Sequence, residues 1–321
     1  MKRTLLFIIF ICSVKFIFSQ DIPFSQYNSF PLYTNKAFAG SEGCSRIVTG
    51  SRLQWPNLDG GYKSYYFSYD QYSRHLRSGF GIEYEREDQS NGFIKNDYIE
   101  ATFSPHIAIG KRVDSLRQFV IKPAFNIGYI MNSMDYSRIV YGDAMDPLHG
   151  NIYPTIEMKN KTEVAYPDFG FGILVYGENF FAGFYYHHAT QPDQSYISAP
   201  SPLPARMDFH GGYILKGYKW LNGFILTPTF IYEKQGYLKR TDLSLSATFR
   251  KYTLGISARM KSAIVFVVGF DLKFFRIGYA YDMNTTYARK AVGSTHEVVL
   301  RFRFNCREKK KKIRTLNIAG M

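Results

Sequence analysis

The stretch His296–Phe304, HEVVLRFRF, alternates between two kinds of side chain. Successive side chains of an extended strand point to opposite faces, so one face is apolar and the other is mostly charged. Residues 273–282, KFFRIGYAYD, alternate in the same way. A soluble sandwich would bury such an apolar face, but a chain that repeats this pattern nearly everywhere suits a barrel whose outside meets lipid. The sequence therefore predicts an all-β fold, a closed antiparallel outer-membrane β-barrel.

Composition agrees with a barrel. Aromatic residues make up 17% of the chain, with 26 Tyr, 28 Phe and 26 Gly, as in antiparallel strands with aromatic girdles. The mean hydropathy is only −0.22. A membrane protein of this hydropathy has to be a barrel, because each strand shows only alternate side chains to lipid.

The N-terminus resembles a secretory signal peptide over residues 1–20. Lys2 and Arg3 precede an apolar run, and the mature chain is expected to begin at Gln20 or Asp21. A membrane anchor is the alternative, but the run is short and is interrupted by Lys15. We expect an exported protein located in the outer membrane, which makes nucleic acid an improbable partner.

Three further segments follow: an irregular periplasmic lead-in over residues 21–44, a transmembrane barrel over 45–304 and a basic periplasmic tail over 305–321. A position tucked into the barrel mouth is the alternative for residues 21–44. The barrel is predicted to have about fourteen strands, an even number that places both termini in the periplasm. Their approximate ranges are 45–54, 62–70, 78–86, 96–107, 118–131, 167–176, 180–188, 206–216, 223–232, 242–249, 252–260, 263–270, 273–281 and 296–304.

The connections between these strands alternate in length, as outer-membrane barrels with short periplasmic turns and longer external loops require. Three connections are exceptions: 260–262 is short for an external loop, and 110–117 and 217–222 are long for turns. Residues 132–166, 189–205, 233–241 and 282–295 are the predicted external loops. The first is 35 residues long, a length that usually means function or disorder. The second holds four prolines, which stiffen it for recognition.

Alternation assigns charged side chains to the lumen, where mixed charge most simply forms a hydrated pairing network. These residues are Asp70, Glu83, Glu85, Glu100, Lys122, Arg276, Asp282, Glu297, Arg301 and Arg303. Cys44 precedes the first strand and Cys306 follows the last. If the barrel closes, these strands are neighbours, and an oxidising compartment would permit a Cys44–Cys306 disulfide.

No pattern singles out catalysis, a metal or a cofactor. His187 and His188 are adjacent, so in a strand they point to opposite faces and cannot share one metal. Residues 79–81 and 170–172 are GxG pieces, but they lie inside strands and indicate close lumen packing rather than phosphate binding. The prediction is a protein that is not an enzyme.

Several separated stretches carry a family resemblance. They are the start DIPFSQYNSFPLYTNKAFAGS, SRLQWPNL, YYFSYD, IVYGD, HHATQPDQSY, IGYAYD and the final GSTHEVVLRFRFNC. Together they resemble the PorP/SprF family of type IX secretion system membrane proteins, over nearly the whole mature chain and in order. One departure is Lys36, where the family usually has proline.

The resemblance implies a non-catalytic outer-membrane barrel that assists export or surface retention of a large secreted, adhesin-like protein. It also implies contact with membrane lipid and with periplasmic secretion or gliding-motility components. We expect loops 132–166 and 189–205 to face the exported partner, and segments 21–44 and 305–321 to face the periplasmic machinery.

Two other classes stay open at this stage. A channel for a small hydrophobic ligand, resembling long-chain fatty-acid transporters, would have a similar barrel with a periplasmic lead-in. A soluble β-sandwich adhesin would be extracted in buffer without detergent. The partner and the state of the lumen, open or plugged, do not follow from the sequence.

Overall fold

Fourteen long antiparallel strands close into a barrel in the computed structural model. Three further strands, of two or three residues each, are not counted among the fourteen. The structure describes residues 21, 23–110, 119–138, 141–146, 148–151, 162–196, 199–216, 223–272, 274–287 and 289–306. The strands are β1 (Ser45–Gln54), β2 (Tyr62–Ser73), β3 (Ser78–Gln89), β4 (Ile94–Pro105), β5 (Ile107–Ile109), β6 (Phe119–Met134), β7 (Met145–Asp146), β8 (Gly150–Asn151), β9 (Glu163–Tyr176), β10 (Phe180–His187), β11 (Arg206–Tyr213), β12 (Phe224–Gln235), β13 (Leu238–Phe249), β14 (Tyr252–Arg259), β15 (Ala263–Asp271), β16 (Phe275–Asn284) and β17 (Thr295–Phe304).

Closure is made by β1 and β17, which pair from Ser45 opposite Phe304 to Leu53 opposite His296. The remaining barrel strands pair with their neighbours in chain order, and β4 pairs with β6. The predicted closed barrel of about fourteen strands is therefore confirmed. β7 and β8 form a separate hairpin in the connection between β6 and β9.

Most predicted strand boundaries differ from the structure by a few residues, and two of the differences change the layout. The fourth strand breaks after Pro105, because proline has no backbone N–H to donate, and the chain resumes as β5 along the same partner, β6. The predicted loop 233–241 is mostly strand, because β12 and β13 extend to a two-residue link, Gly236–Tyr237. Gly236 has a φ of +56°, which glycine adopts without steric cost.

The two ends of the barrel differ. The short-turn end is the one where β1 begins and β17 ends; it carries the brief links 177–179 and 250–251. The long-loop end is opposite and carries the links 135–162 and 188–205. Among the described residues, no helix is long and apolar enough to cross a membrane.

The outer face of the wall is apolar and exposed. Along β12 to β14, for example, Phe230, Leu243 and Ile256 are each more than two-fifths exposed, and the same holds around the barrel. Further exposed examples are Ile82, Ile99, Phe125, Ile127, Phe171, Phe209, Leu245, Leu254, Phe266, Val268, Tyr279 and Phe302. An apolar surface this large is unfavourable in water, so hydrocarbon has to cover it.

The core of the molecule lies inside the barrel, around residues 21–44. This segment contains two 3₁₀ turns, Tyr27–Ser29 and Lys36–Phe38, and a one-turn helix, Pro31–Thr34. Phe24, Phe30 and Tyr33 pack against Val48, Tyr66 and Val299 of the wall. Ala37 and Phe38 pack against a second set: Val120, Ala124, Leu174, Tyr176, Phe181, Tyr185 and Ile214.

The segment that was expected as a periplasmic lead-in, or tucked into the barrel mouth, lies in the lumen, where Asp21 and residues 23–44 form a plug. Asp21 contacts Arg206 and Gln235, which lie at the long-loop end, whereas Cys44 lies at the short-turn end. The first described residue is thus at the end opposite to the one predicted for the N-terminus. Strand periodicity reports which face a residue occupies but not what fills the space inside.

Candidate functional site: the plugged lumen

Lys36 anchors the middle of the plug to the wall. It is 1% exposed, and its Nζ donates hydrogen bonds to Glu83 of β3 and Glu100 of β4. Burial disfavours the ammonium charge, but Glu100 and Glu83 outweigh burial and raise the pKa of Lys36 above its usual value. Lys36 therefore supplies one buried cation that two wall carboxylates share.

Asp21 holds the plug at the long-loop end. Its Oδ2 accepts hydrogen bonds from Arg206 Nη1 at 2.7 Å and from His188 Nε2 at 3.0 Å. His188 also contacts Asp168 at 2.8 Å. Burial disfavours the charge on His188, but the two carboxylates outweigh it and raise the pKa of His188 to about 10. Burial is likewise outweighed by His188 and Arg206 at Asp21, whose pKa lies well below its usual range.

An arc of ion pairs along the wall binds the backbone and hydroxyl groups of the plug between Phe24 and Gln26. The backbone N–H groups of Ser25 and Gln26 each donate to Glu297 at 2.8 Å, and Arg240 donates to the Phe24 carbonyl at 2.7 Å. The arc consists of the pairs Arg52–Glu297, Arg52–Asp282, Arg259–Asp282, Arg259–Asp242, Arg240–Asp242 and Arg240–Glu233, between 2.7 and 3.2 Å long.

Two carboxylates, Asp70 and Glu42, fix the plug at the short-turn end. Asp70 accepts hydrogen bonds from the Gly40 N–H and from Arg46 Nε, both at 2.7 Å. Glu42 contacts Arg46 at 3.0 Å and Arg301 at 3.4 Å. Burial disfavours the Glu42 carboxylate, but Arg301 and Arg46 outweigh it and lower the pKa of Glu42.

A disulfide also lies at the short-turn end. The Cα atoms of Cys44 and Cys306 are 4.6 Å apart and their sulfurs are bonded. The disulfide joins the last residue of the plug to the chain just beyond β17, at the seam where the barrel closes.

The structure places the charges that alternation assigned to the lumen on its inner side. Glu83 and Glu100 bind Lys36, and Lys122 donates to the Ala39 carbonyl at 2.6 Å. Glu85 is 8% exposed and lines a cavity beside Lys36. Asp282 and Glu297 belong to the arc, Arg301 contacts Glu42, and Arg276 and Arg303 each contact Asp271 at 3.3 Å.

Sequence reasoning missed other lumenal charges. Arg206, Asp208 and His210 occupy alternate positions of β11, and Asp242 lies on the polar face of β13. The same period-two rule would have assigned all four side chains to the lumen. No such rule applies to Lys36 or Asp21, because neither lies on a strand.

The histidine pair differs from expectation. His187 contacts Arg206 and Asp208, while His188 contacts Asp21, so both rings face the lumen. The prediction of opposite faces was wrong because β10 ends at His187 and His188 has a φ of +53°, which turns the chain. Within the part of the chain that is described, no group of three or more His, Cys, Asp or Glu side chains is arranged to hold a metal.

Glycines let the plug approach the wall. A Cβ on Gly79 would lie 1.8 Å from the Ala39 carbonyl oxygen, and one on Gly81 would lie 2.9 Å from Leu32 Cδ1. A side chain at either position would collide with the plug. The GxG pieces of the wall are therefore sites of close packing.

Two cavities beside the plug are of water size. One cavity of about 20 Å³ lies among Asp21, Tyr33 and Lys36, and another of about 40 Å³ lies beside Ser25 and Ser244. Roughly 10–15 Å³ suffices for one water. Each of these two cavities has room for water but not for an organic ligand.

An apolar outer wall, a charged inner wall and a lumen filled by the chain's own N-terminal segment define a plugged outer-membrane β-barrel. The sequence profile described as "Type IX secretion system membrane protein PorP/SprF" matches residues 17–302. The chain belongs to this family, and it is an outer-membrane protein.

Solved structures with similar folds have low sequence identity. Omp33 of Acinetobacter baumannii has a TM-score of 0.45 and 7% identity, covering 83% of this chain and 100% of that one. The CymD monoaromatic hydrocarbon channel has a TM-score of 0.44 and 11% identity, covering 86% and 93%. A Pseudomonas aeruginosa FadL homologue has a TM-score of 0.41 and 9% identity, covering 84% and 94%. A comparison with curated proteins found no match.

Proposed function

We propose that this barrel is a non-catalytic docking platform of the type IX secretion system, which assists export or surface retention of a large secreted, adhesin-like protein. The observation that carries the proposal is the plug. Phe24, Phe30 and Leu32 are fully buried inside the barrel, and charge contacts hold the plug at both ends and in the middle. A lumen filled in this way favours binding at the rim over passage of cargo through the barrel.

The filled lumen also favours this function over the hydrophobic-ligand channel. The two cavities beside the plug have room for waters only. The first cavity is lined by charged groups such as Arg206 and Glu85, which do not solvate an apolar ligand.

The connections at the long-loop end are the proposed contact with the secreted partner. They include residues 135–162 and 188–205, the observed connections that correspond to the predicted loops 132–166 and 189–205. The short-turn end and the tail over 305–321 are the proposed contact with periplasmic secretion or motility components. Because the plug lies inside the barrel, it offers the machinery only its Cys44 end.

Affinity purification of the full chain in mild detergent tests the proposal. We expect a large secreted protein to copurify, and replacement of residues 139–161 by a short Gly-Ser linker to abolish its recovery. This replacement leaves β6 and β9 intact. A matched control replaces residues 286–293, another connection at the same end, and should retain the partner. Equal recovery from both variants would contradict the assignment of the long loop.

A conductance measurement separates the two functions. In planar bilayers, the full-length protein should show no steady conductance. In liposomes, it should not take up hydrophobic ligands. Ligand uptake by the intact protein, without a copurifying partner, would instead establish the channel.

A further inference from the structure

Two lysines lie directly opposite each other on the outer face of the barrel. Lys234 of β12 pairs in register with Lys239 of β13. Both side chains are exposed, and both point outward because their neighbours Glu233 and Arg240 join each other inside the lumen. Like charges directly opposite on adjacent strands destabilise a sheet, so this pair is unfavourable unless an anion neutralises it.

Lys234 and Lys239 have no acidic residue beside them on the outward side of the described neighbouring strands. In β10 to β16, which are fully described, the outward positions hold no other charged residue. Lys261, exposed at the tip of the adjacent β14–β15 hairpin, adds a third positive charge nearby. Its neighbour Met260 donates its backbone N–H to the Thr241 carbonyl, which brings that tip beside β13.

The height of the pair matches a lipid headgroup. Below Lys234 the outward side of β12 is apolar or aromatic down to Phe224, and below Lys239 the outward side of β13 runs through Leu243 and Leu245 to Phe249. Eight to ten residues at about 3.3 Å each, tilted by roughly 40°, span about 20–25 Å, the height of the apolar band of such barrels. Tyr237, 81% exposed, lies at the tip of the same hairpin, at the interfacial level where aromatic residues concentrate.

We infer that Lys234 and Lys239, with Lys261 beside them, form a binding site for the phosphate of an anionic glycolipid in the leaflet at the long-loop end. The phosphate neutralises the facing ammonium groups, and the acyl chains lie against the apolar strands below. The site fixes the height and rotational position of the barrel in the membrane without using the lumen.

Binding of lipid A to the full chain in detergent tests this site. Native mass spectrometry would compare phosphorylated lipid A with lipid A from which the phosphates have been removed. We expect the phosphorylated form to bind more tightly, and K234Q/K239Q to weaken its binding roughly 30-fold, because each lysine near a membrane surface contributes about 1 kcal/mol. K234R/K239R keeps the charge and should retain binding.

A matched control comes from the other side of the barrel. Lys95 also lies on the outer face, but its partner in register is Asp88, so K95Q should leave lipid binding unchanged. Equal binding of phosphorylated and dephosphorylated lipid, or equal binding by wild type and K234Q/K239Q, would overturn the inference. Displacement of the lipid by millimolar inorganic phosphate would overturn the assignment to a lipid and indicate a free-phosphate site.

Discussion

Arg206 Nη1 lies 2.7 Å from Asp21 Oδ2, so the first described residue of the plug is bound at the barrel end opposite to Cys44. The plug therefore runs the length of the lumen and is held by charges along its whole path. Buried ion pairs contribute little net stability over apolar packing, but breaking one leaves an uncompensated buried charge. Their effect here is to fix one position for a segment with little regular structure of its own.

Replacing Lys36 should strip two buried carboxylates of their cation. We expect Lys36→Met to lower the free energy of unfolding by about 3–5 kcal/mol, measured by urea denaturation in lipid vesicles. Adding Glu83→Gln and Glu100→Gln should recover much of the loss, because the buried negative charge is then gone. Lys63→Met, at an exposed lysine on β2, is the control. A Lys36→Met variant as stable as this control would contradict the anchoring role.

Breaking the disulfide should loosen the seam and the base of the plug together. Cys44→Ser, Cys306→Ser and the double variant should all lower the free energy of unfolding by the same amount, about 2–4 kcal/mol. The loss is the same because removing either sulfur already removes the disulfide. Dithiothreitol should destabilise the wild type alone. If it destabilised the double variant equally, the effect would not come from this bond.

The contact between Asp21 and His188 should make stability depend on pH at both extremes. The pKa of His188 is raised to about 10, so its contribution is complete below its unfolded pKa of about 6.5 and is lost as pH rises through 10. The pKa of Asp21 is lowered, so its contribution is present above about 3.8 and is lost only in strong acid. Unfolding free energies measured between pH 7 and 11 should fall for the wild type by on the order of a few kcal/mol more than for His188→Gln. Parallel curves for the two proteins would refute the linkage.

A side chain at Gly79 should displace the base of the plug. Its Cβ would meet the Ala39 carbonyl oxygen at 1.8 Å, and backbone on both sides leaves little room to adjust. We expect Gly79→Ala to produce transient conductance in planar bilayers where the wild type shows none. Gly255→Ala is the matched control in the wall, since its nearest contact is Val267 Cβ at 3.3 Å. Silent recordings from a folded Gly79→Ala protein would show that the plug tolerates the collision.

The accuracy of the sequence predictions follows the range of the interactions involved. The outward and inward faces of the strands were predictable because alternation depends only on neighbouring residues. On β17, for example, Val298 lies outside and Glu297 inside. His188 was assigned the wrong face because one positive φ at the end of β10 interrupts that period. The pairing of Glu83 with Lys36 could not be predicted, because Lys36 lies on an irregular segment that has no strand register to place it.

The sequence alone determined that this chain is a barrel with an apolar outside, a charged inside and a family resemblance, because all three reside in local order along the chain. Only the tertiary structure decided that residues 21–44 plug the lumen, that Asp21 reaches the long-loop end and that Lys36 binds both Glu83 and Glu100. The physical reason is that an irregular segment has no period of its own. Its place is set by the cavity and the charges that fourteen closed strands present to it.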